Sequence, residues 1–245
     1  MEPKSLTDIN HSFYINLDTR TDRREHVEKQ LASIGIVPNR FNAIKLGNGA
    51  IGCSMSHLKC LQYAKSQSWD HVLICEDDIE FLDPELFKKQ INRFLQLHKY
   101  WDVLLLAGNS IPPYIEIGDY CVKVSQCLTT TGYIVRSHYY DTLIQNISEG
   151  VSKFMKNPDQ GFTYSIDKYW IQLQMKAKWY LITPLTVCQR ADYSDIEKKE
   201  TNYSHLLLDL DKTELIEKSR KKAEERKALE IEKEKENKKQ KEKDD

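Results

Sequence analysis

The chain has 245 residues, of which 40% are hydrophobic and 10% aromatic, and this suits one domain of moderate size with a substantial core. Its 36 basic and 37 acidic residues leave a net charge of -1, so the charge balance argues against nucleic acid as the main partner. We expect a soluble, cytoplasmic protein, because the sequence shows neither a signal peptide nor a transmembrane segment of ~18 apolar residues.

Short apolar runs alternate with helical patterns over residues 1–212. The predicted strands are 12–17, 40–44, 71–75, 101–108 and 179–187. The predicted helices are 21–35, 54–67, 83–98, 139–147 and 167–177. Near-continuous apolar strands separated by helices indicate an α/β fold whose central sheet is mostly parallel and covered on both faces.

Several helix ends carry recognisable signals. Thr21 is the expected cap of the first helix and Gly35 its stop, while Asp83 caps a helix that has Pro84 at its first position. These signals make the helices at 21–35 and 83–98 the best-defined predicted elements.

The composition changes after residue 212. Residues 213–245 contain 12 basic and 11 acidic residues, and their few apolar residues do not repeat every seven, which argues against a coiled coil. We predict a domain at 1–212 and a charged tail at 213–245 that is helical or disordered. Binding of a protein partner is the alternative role for this tail.

Six cysteines are present, and they form no CxxC pair. None has an expected zinc-ligand spacing with a histidine, and Cys75 and Cys188 lie in apolar runs. We therefore expect reduced thiols in the core.

Three adjacent carboxylates, Glu76, Asp77 and Asp78, follow the predicted strand HVLIC. Like charges at one strand end repel each other and resist burial, so a positive partner is expected nearby. Ligands of such sheets bind beyond the carboxyl ends of the strands. Carboxylates spaced Glu-x-Asp can share a divalent cation that also binds a diphosphate.

A competing interpretation is a dinucleotide-binding oxidoreductase. Residues 47–52 read GNGAIG, a G-x-G-x-x-G pattern, and Glu76 follows a little over twenty residues later. Against this stand the polar residues Asn42 and Lys45 in the preceding strand and a complete strand and helix upstream. Three carboxylates in succession would also repel a pyrophosphate.

A series of motifs, in order, resembles glycosyltransferase family 25, the family of lipooligosaccharide and collagen galactosyltransferases. They are FYINLDTRTDRRE (13–25), RFNAI (40–44), GAIGCSMSHLKC (49–60), VLICEDDIEF (72–81), WDVLLLAG (101–108), TTTGYIVRS (129–137), IDKYW (166–170) and PLTVCQRADYSDI (184–196). The resemblance implies a GT-A type nucleotide-sugar-binding fold, a UDP-hexose donor, Mn²⁺ dependence and inversion at the anomeric carbon. Asn48-Gly49-Ala50 departs from the acidic residue more usual before Ile-Gly-Cys.

The resemblance also implies roles for individual residues. Glu76, Asp77 and Asp78 would form the metal site, with Asp78 the direct ligand and Glu76 either a second ligand or a ribose contact. Asp167 is the expected general base, with a helix N-cap as its alternative role. His205 is a further candidate metal ligand. The expected donor-binding residues are Asn16, Arg20, Arg23, Ser56, His57, Gln189, Ser194 and Asp195.

The sequence leaves the acceptor open among a glycan, a lipid-linked sugar and hydroxylysine in a collagen-like protein. It also leaves the donor open between galactose and glucose. A non-catalytic relative that binds only sugars or partners is the alternative from a different functional class.

Overall fold

The computed structural model describes residues 2–213 and 215–221. The strands are Ser12–Asn16 (β1), Arg40–Asn42 (β2), His71–Glu76 (β3), Ile79–Phe81 (β4), Val103–Ser110 (β5), Ile115–Gly118 (β6), Cys121–Lys123 (β7), Cys127–Arg136 (β8), Trp179–Ile182 (β9), Val187–Gln189 (β10), Asp192–Ser194 (β11) and Lys199–Thr201 (β12). The α-helices are Thr21–Ser33 (α1), Gly49–Ser66 (α2), Pro84–Leu97 (α3), Tyr140–Lys156 (α4), Gly161–Tyr164 (α5), Ile166–Tyr169 (α6), Ile171–Gln174 (α7) and Ser204–Leu207 (α8).

Eight strands form one sheet in the order β2-β1-β3-β8-β5-β9-β7-β6. β1 is parallel to β2 and β3, and β5 is parallel to β9. β8 lies antiparallel between β3 and β5, and β7 is antiparallel to both β9 and β6. Within this sheet, all strands except β7 and β8 therefore point in one direction. The predicted α/β class with a mostly parallel central sheet is confirmed, and it agrees with the GT-A type fold that the resemblance implies.

The sheet has a separate hydrophobic core on each face. Leu73 and Cys75 of β3 pack with α1 and α3, whereas Val72 and Ile74 pack with α2 and α4. This alternation follows from the two-residue period of a strand. A strand with both faces buried must be apolar throughout, which is why the HVLIC run is so hydrophobic.

Helix α2 begins earlier than the sequence pattern predicts. The expected start was residue 54, but the Asn48 side chain accepts hydrogen bonds from the backbone N–H groups of Ala50 and Ile51, and the helix starts at Gly49. Asn48 thus satisfies amides that would otherwise lack partners. The two later glycines of GNGAIG consequently lie inside a helix.

The sheet order does not match that expected for a dinucleotide fold. There, the strand before the glycine motif is central and adjacent to the strand that ends in the acidic residue. Here β2 is an edge strand, and β1 separates it from β3. The glycines instead allow close packing, since a Cβ on Gly52 would lie 2.3 Å from the carbonyl oxygen of Ile44.

Other boundaries differ in detail. Arg20, not Thr21, occupies the cap position of α1, while Gly35 follows the helix with φ of 79°, as its role as a stop requires. The Asp83 cap and Pro84 start of α3 are confirmed. The helix predicted at 167–177 is divided into the single turns α6 and α7, and α4 extends to Lys156.

One compact unit ends at Leu210 and a second begins at Asp211. The predicted domain limits of 1–212 and 213–245 stay a prediction, because most of the charged tail lies outside the described residues. None of the six cysteines, all of them within the described residues, forms a disulfide, as expected. Among the described helices, none combines the length and apolar composition needed to cross a bilayer.

The close contact at Gly52 gives a prediction for stability. Gly52→Ala should lower the free energy of unfolding by about 1–3 kcal/mol, because its methyl group collides with backbone that cannot rotate away. Gly47→Ala is the matched control, since a Cβ there meets nothing within 4 Å. Denaturant unfolding of both variants measures the effect, and equal midpoints would contradict this account of Gly52.

Candidate active site

A cleft of about 1150 Å³ opens beyond the carboxyl ends of β1 and β3. Residues 43–50 border it on one side, and α5 and α6 contribute to its lining. The segment after β10 provides further lining, including 194–198. This position agrees with the rule that ligands of open α/β sheets bind where the parallel strands end.

Most of the predicted site residues meet at this cleft. The residues that line it are Arg23, Ser56, Glu76, Asp77, Asp78, Asp167, Gln189, Ser194 and Asp195. Asn16, Arg20 and His57 are not among the lining residues. His205 is exposed on α8 and also lies outside the lining, so its position gives no support for metal binding.

Arg23 is the positive partner of two of the three carboxylates, Asp77 and Asp78. Its Nη1 atom donates to Oδ1 of Asp77 at 3.0 Å and to Oδ2 of Asp78 at 3.2 Å, and its Nε atom donates to Asp192 at 3.2 Å. The guanidinium is almost completely buried. Arg23 therefore joins helix α1, the end of β3 and strand β11 through charge-assisted hydrogen bonds.

Asp77 is held on both sides and faces mainly inward. Besides its bond to Arg23, it accepts a hydrogen bond from Nδ2 of Asn16 at 2.8 Å. Asn16 is itself buried at 1% exposure and receives a bond from Arg40 on its amide oxygen. Asn16 thus orients the acidic turn from behind the cleft.

Asp78 has the features expected of a cation ligand. Its Oδ1 atom is buried and has no hydrogen-bond partner within the described part of the chain. Burial and the neighbouring charge of Glu76 raise the pKa of Asp78 to about 8, although Arg23 opposes the shift. A divalent cation would satisfy the oxygen and favour the ionised carboxylate, so the residues present fit such a cation.

Glu76 is fixed by side chains from three other elements. Its Oε1 atom accepts a hydrogen bond from the Thr130 hydroxyl at 2.5 Å, and its Oε2 atom accepts one from Gln189 at 3.2 Å. Burial acts to raise the pKa of Glu76, but His57 and Thr130 lower it and prevail. Glu76 is therefore an ionised carboxylate held in one orientation.

Ser56 and His57 are both buried in α2. The Ser56 hydroxyl accepts a hydrogen bond from the Ile44 amide at 2.9 Å and donates to the Gly52 carbonyl at 2.8 Å. His57 contacts the Tyr133 hydroxyl through Nδ1 at 3.1 Å. Ser56 consequently fixes the loop at the cleft edge, and its hydroxyl has no hydrogen atom left to donate to a ligand.

Ion pairs hold the segment after β10 against helix α1. Arg20 contacts Asp192 at 2.8 Å and Asp195 at 2.6 Å, and also donates to the backbone oxygen of Tyr193. The Ser194 hydroxyl accepts a hydrogen bond from the Glu197 amide. Arg20 and Asp195 thus connect this segment to the remainder of the cleft wall.

Asp167 lines the cleft from the first turn of α6. Its carboxylate accepts hydrogen bonds from the Thr129 amide at 3.2 Å and the Ser165 hydroxyl at 3.0 Å. Ser165, not Asp167, occupies the N-cap position, so the alternative role as a cap is not observed. Asp167 remains at the cleft surface, where it can contact a ligand.

The sequence patterns did not single out Thr130, Asp192 or Cys53. The signal for Cys53 was its spacing of four residues from His57, which places both side chains on one face of α2. Thr130 lies within the motif at 129–137 and Asp192 within the motif at 184–196. Their partners, Glu76 and Arg23, are more than fifty residues away in sequence.

Known proteins are similar in sequence to the part of the chain that contains many of the cleft residues. The family model described as "Glycosyltransferase family 25 (LPS biosynthesis protein)" matches residues 43–160, which include α2 and the acidic triplet. Two proteins, each named "Glycosyltransferase 25 family member", are also similar. The one from Anopheles gambiae is 22% identical over 201 residues, and the one from Drosophila melanogaster is 25% identical over 167 residues. The chain is therefore similar to glycosyltransferase family 25 across residues 43–160.

The chain matches only part of each of these relatives. The matched regions cover 68% and 54% of the chain, but only 32% and 27% of the mosquito and fly proteins. The chain therefore spans about a third or less of the curated relatives that it matches.

One solved structure shows weak similarity to this chain. It is titled as a glycosyltransferase involved in the glycosylation of the major capsid of PBCV-1, with 13% identity and a TM-score of 0.40, and the match covers 71% of this chain and 93% of that one. A TM-score this low carries no weight for fold or function. The fold class of the chain is supported by its own sheet order.

The buried position of Arg23 gives a second stability prediction. Arg23→Met should lower the free energy of unfolding by about 3–5 kcal/mol, because it leaves buried carboxylates without their partner. Arg24→Met, one residue further along α1, removes only an exposed ion pair with Glu28 and should leave the unfolding midpoint almost unchanged. Denaturant unfolding at neutral pH compares the two, and similar losses would contradict the central role of Arg23.

Proposed function

We propose that this chain is a metal-dependent, inverting hexosyltransferase that moves galactose or glucose from a UDP-sugar to a hydroxyl acceptor. The observation that carries the proposal is the buried Oδ1 atom of Asp78, which has no hydrogen-bond partner among the described residues and belongs to a residue that lines the large cleft. A cleft of this size accommodates a nucleotide sugar and part of an acceptor.

The metal is proposed to be Mn²⁺ or a similar divalent cation. Asp78 would be its direct ligand, with Glu76 near enough along the same turn to contribute a second oxygen or to contact the ribose. Asp77, whose oxygens are engaged by Asn16 and Arg23, would act by neutralising Arg23 and holding the turn. When bound, such a cation neutralises the negative charge that develops on a leaving diphosphate.

The donor-binding residues divide into two groups. Gln189, Ser194 and Asp195 line the cleft and are proposed to contact the donor directly. Arg23 is proposed to bind a phosphate through the part of its guanidinium that faces the cleft. The remaining four, Asn16, Arg20, Ser56 and His57, would act indirectly by holding the cleft wall and orienting these side chains.

The transfer step needs one general base beside the acceptor hydroxyl. Asp167 is proposed for this role, since its carboxylate is oriented by Thr129 and Ser165 at the cleft surface. The acceptor oxygen forms a bond to the anomeric carbon while the bond from that carbon to the UDP oxygen breaks. The bonding electrons leave with UDP, the acceptor proton passes to Asp167, and the anomeric configuration is inverted.

The acceptor class is proposed only as a sugar or protein hydroxyl. A glycan, a lipid-linked sugar and a hydroxylysine side chain each present a hydroxyl of suitable reactivity. The relatives are named only by their family, so they do not narrow this choice.

Metal-dependent nucleotide binding is the first test. UDP and Mn²⁺ together, near 100 times the dissociation constant, should stabilise the protein by ~2.7 kcal/mol, and this gain should be absent in Asp78→Asn. Thermal unfolding with each ligand alone, with both, and with NAD⁺ provides the measurement. Asp119→Asn, which removes an exposed carboxylate outside the cleft, should respond like the unchanged protein. Stabilisation by NAD⁺ alone would favour the dinucleotide alternative.

The role of Asp167 requires a separate test. Asp167→Asn should retain stabilisation by UDP and Mn²⁺ but lose roughly 10²–10⁴-fold in transfer rate, the usual contribution of a general base. Release of UDP from UDP-galactose and UDP-glucose, with a panel of sugar and hydroxylysine acceptors, measures the rate. Asp159→Asn, at an exposed position outside the cleft lining, is the control. Equal rates in the two variants would remove Asp167 as the base.

A further inference from the structure

Cys53, His57 and Glu76 form a compact group of metal-ligand side chains at the cleft wall. One sulfur, one nitrogen and one oxygen atom from these residues all lie within 4.8 Å of one another. Cys53 and His57 are one helical turn apart in α2, and Glu76 ends the neighbouring strand β3. Two secondary-structure elements therefore bring three different ligand types together.

The Nε2 atom of His57 is the observation that points to a bound cation. The His57 side chain is completely buried, and its Nε2 atom has no hydrogen-bond partner among the residues described. It faces Oε1 of Glu76 at 3.5 Å, beyond the normal length of an N–H···O hydrogen bond. A buried polar atom without a partner calls for an explanation, and coordination of a metal ion would provide one.

The distances suit a tetrahedral zinc ion. Zinc binds sulfur at about 2.3 Å and nitrogen or oxygen at about 2.0–2.2 Å, so tetrahedral ligand atoms lie roughly 3.3–3.6 Å apart. The Cys53 sulfur is 3.5 Å from Oε1 of Glu76, and Nε2 of His57 is also 3.5 Å from this oxygen. No two of the three ligand atoms lie more than 4.8 Å apart.

Neighbouring side chains already orient these ligands. The Tyr133 hydroxyl lies 3.1 Å from Nδ1 of His57, which leaves Nε2 directed towards Glu76. Thr130 donates a hydrogen bond to Oε1 of Glu76. Metal-bound histidines and carboxylates characteristically have such outer hydrogen bonds, and losing one typically costs 10–100-fold in metal affinity.

We propose that the Cys53 thiolate, Nε2 of His57 and Oε1 of Glu76 bind one thiophilic divalent cation of the zinc class. Cys53 and Glu76 line the cleft while His57 lies behind them, so the fourth coordination position faces the cleft. Thiolate and imidazole ligands favour zinc, whereas oxygen ligands such as Asp78 favour manganese. The inference does not depend on the proposed transferase activity.

Cobalt provides a direct test, because Co²⁺ occupies zinc sites and gives a thiolate-to-metal absorption band only when bound by cysteine. The full chain, without an affinity tag, is reduced and stripped of metal with a chelator before titration. One equivalent of Co²⁺ should produce the band, and Zn²⁺ should abolish it by displacement. Mn²⁺ at the same concentration should have no effect on it. A protein that gives no such band would overturn the proposal.

Variants identify the ligands. Cys53→Ser should lose the cobalt band and bind Zn²⁺ at least tenfold more weakly, with unchanged thermal unfolding of the metal-free protein as evidence of an intact fold. Cys60→Ser, two turns further along α2, should keep the band. Asp78→Asn should also keep it, which separates this site from the proposed manganese site. Persistence of the band in Cys53→Ser would refute the assignment.

Discussion

The structure of the cleft depends on one buried positive charge. Arg23 lies between Asp77, Asp78 and Asp192, and a guanidinium removed from water must be compensated by carboxylates at close range. This requirement fixes helix α1, the end of β3 and strand β11 relative to one another. Asp77 is also bound by Asn16, whereas the Oδ1 atom of Asp78 is buried without a hydrogen-bond partner among the described residues.

The fold was largely predictable because its strongest signals are local. Runs of apolar residues such as 71–75 have both faces buried, and Asp83 and Pro84 mark a helix start by chemistry contained within a few residues. The start of α2 was missed because Gly47 and Gly49 on either side of Asn48 are typical of a loop. The antiparallel orientation of β8 was not predicted, since strand direction depends on pairing between residues far apart in sequence.

The sequence predicts which residues line the cleft better than it predicts what each of them does there. The motifs singled out Glu76, Asp78 and Asp167, and all three line one cleft. The role of each residue depends on partners that sequence spacing does not reveal. The Ser56 hydroxyl accepts a hydrogen bond from the Ile44 amide and donates one to the Gly52 carbonyl. Arg20 forms an ion pair with Asp195 instead of lining the cleft. The sequence pattern did not reveal the Cys53–His57 pair, because it placed the start of the helix at residue 54. A spacing of four residues brings two side chains together only where both residues are helical.

The antiparallel strand β8 has a consequence for how the chain assembles. It lies between β3 and β5 at the middle of the sheet, yet it follows both of them in sequence. Until residues 127–136 emerge from the ribosome, β3 and β5 have no common neighbour, and both expose unpaired backbone along apolar edges. A nascent chain that stops before this point is a template for aggregation. The late insertion of β8 also raises the average sequence separation of contacts, which slows folding.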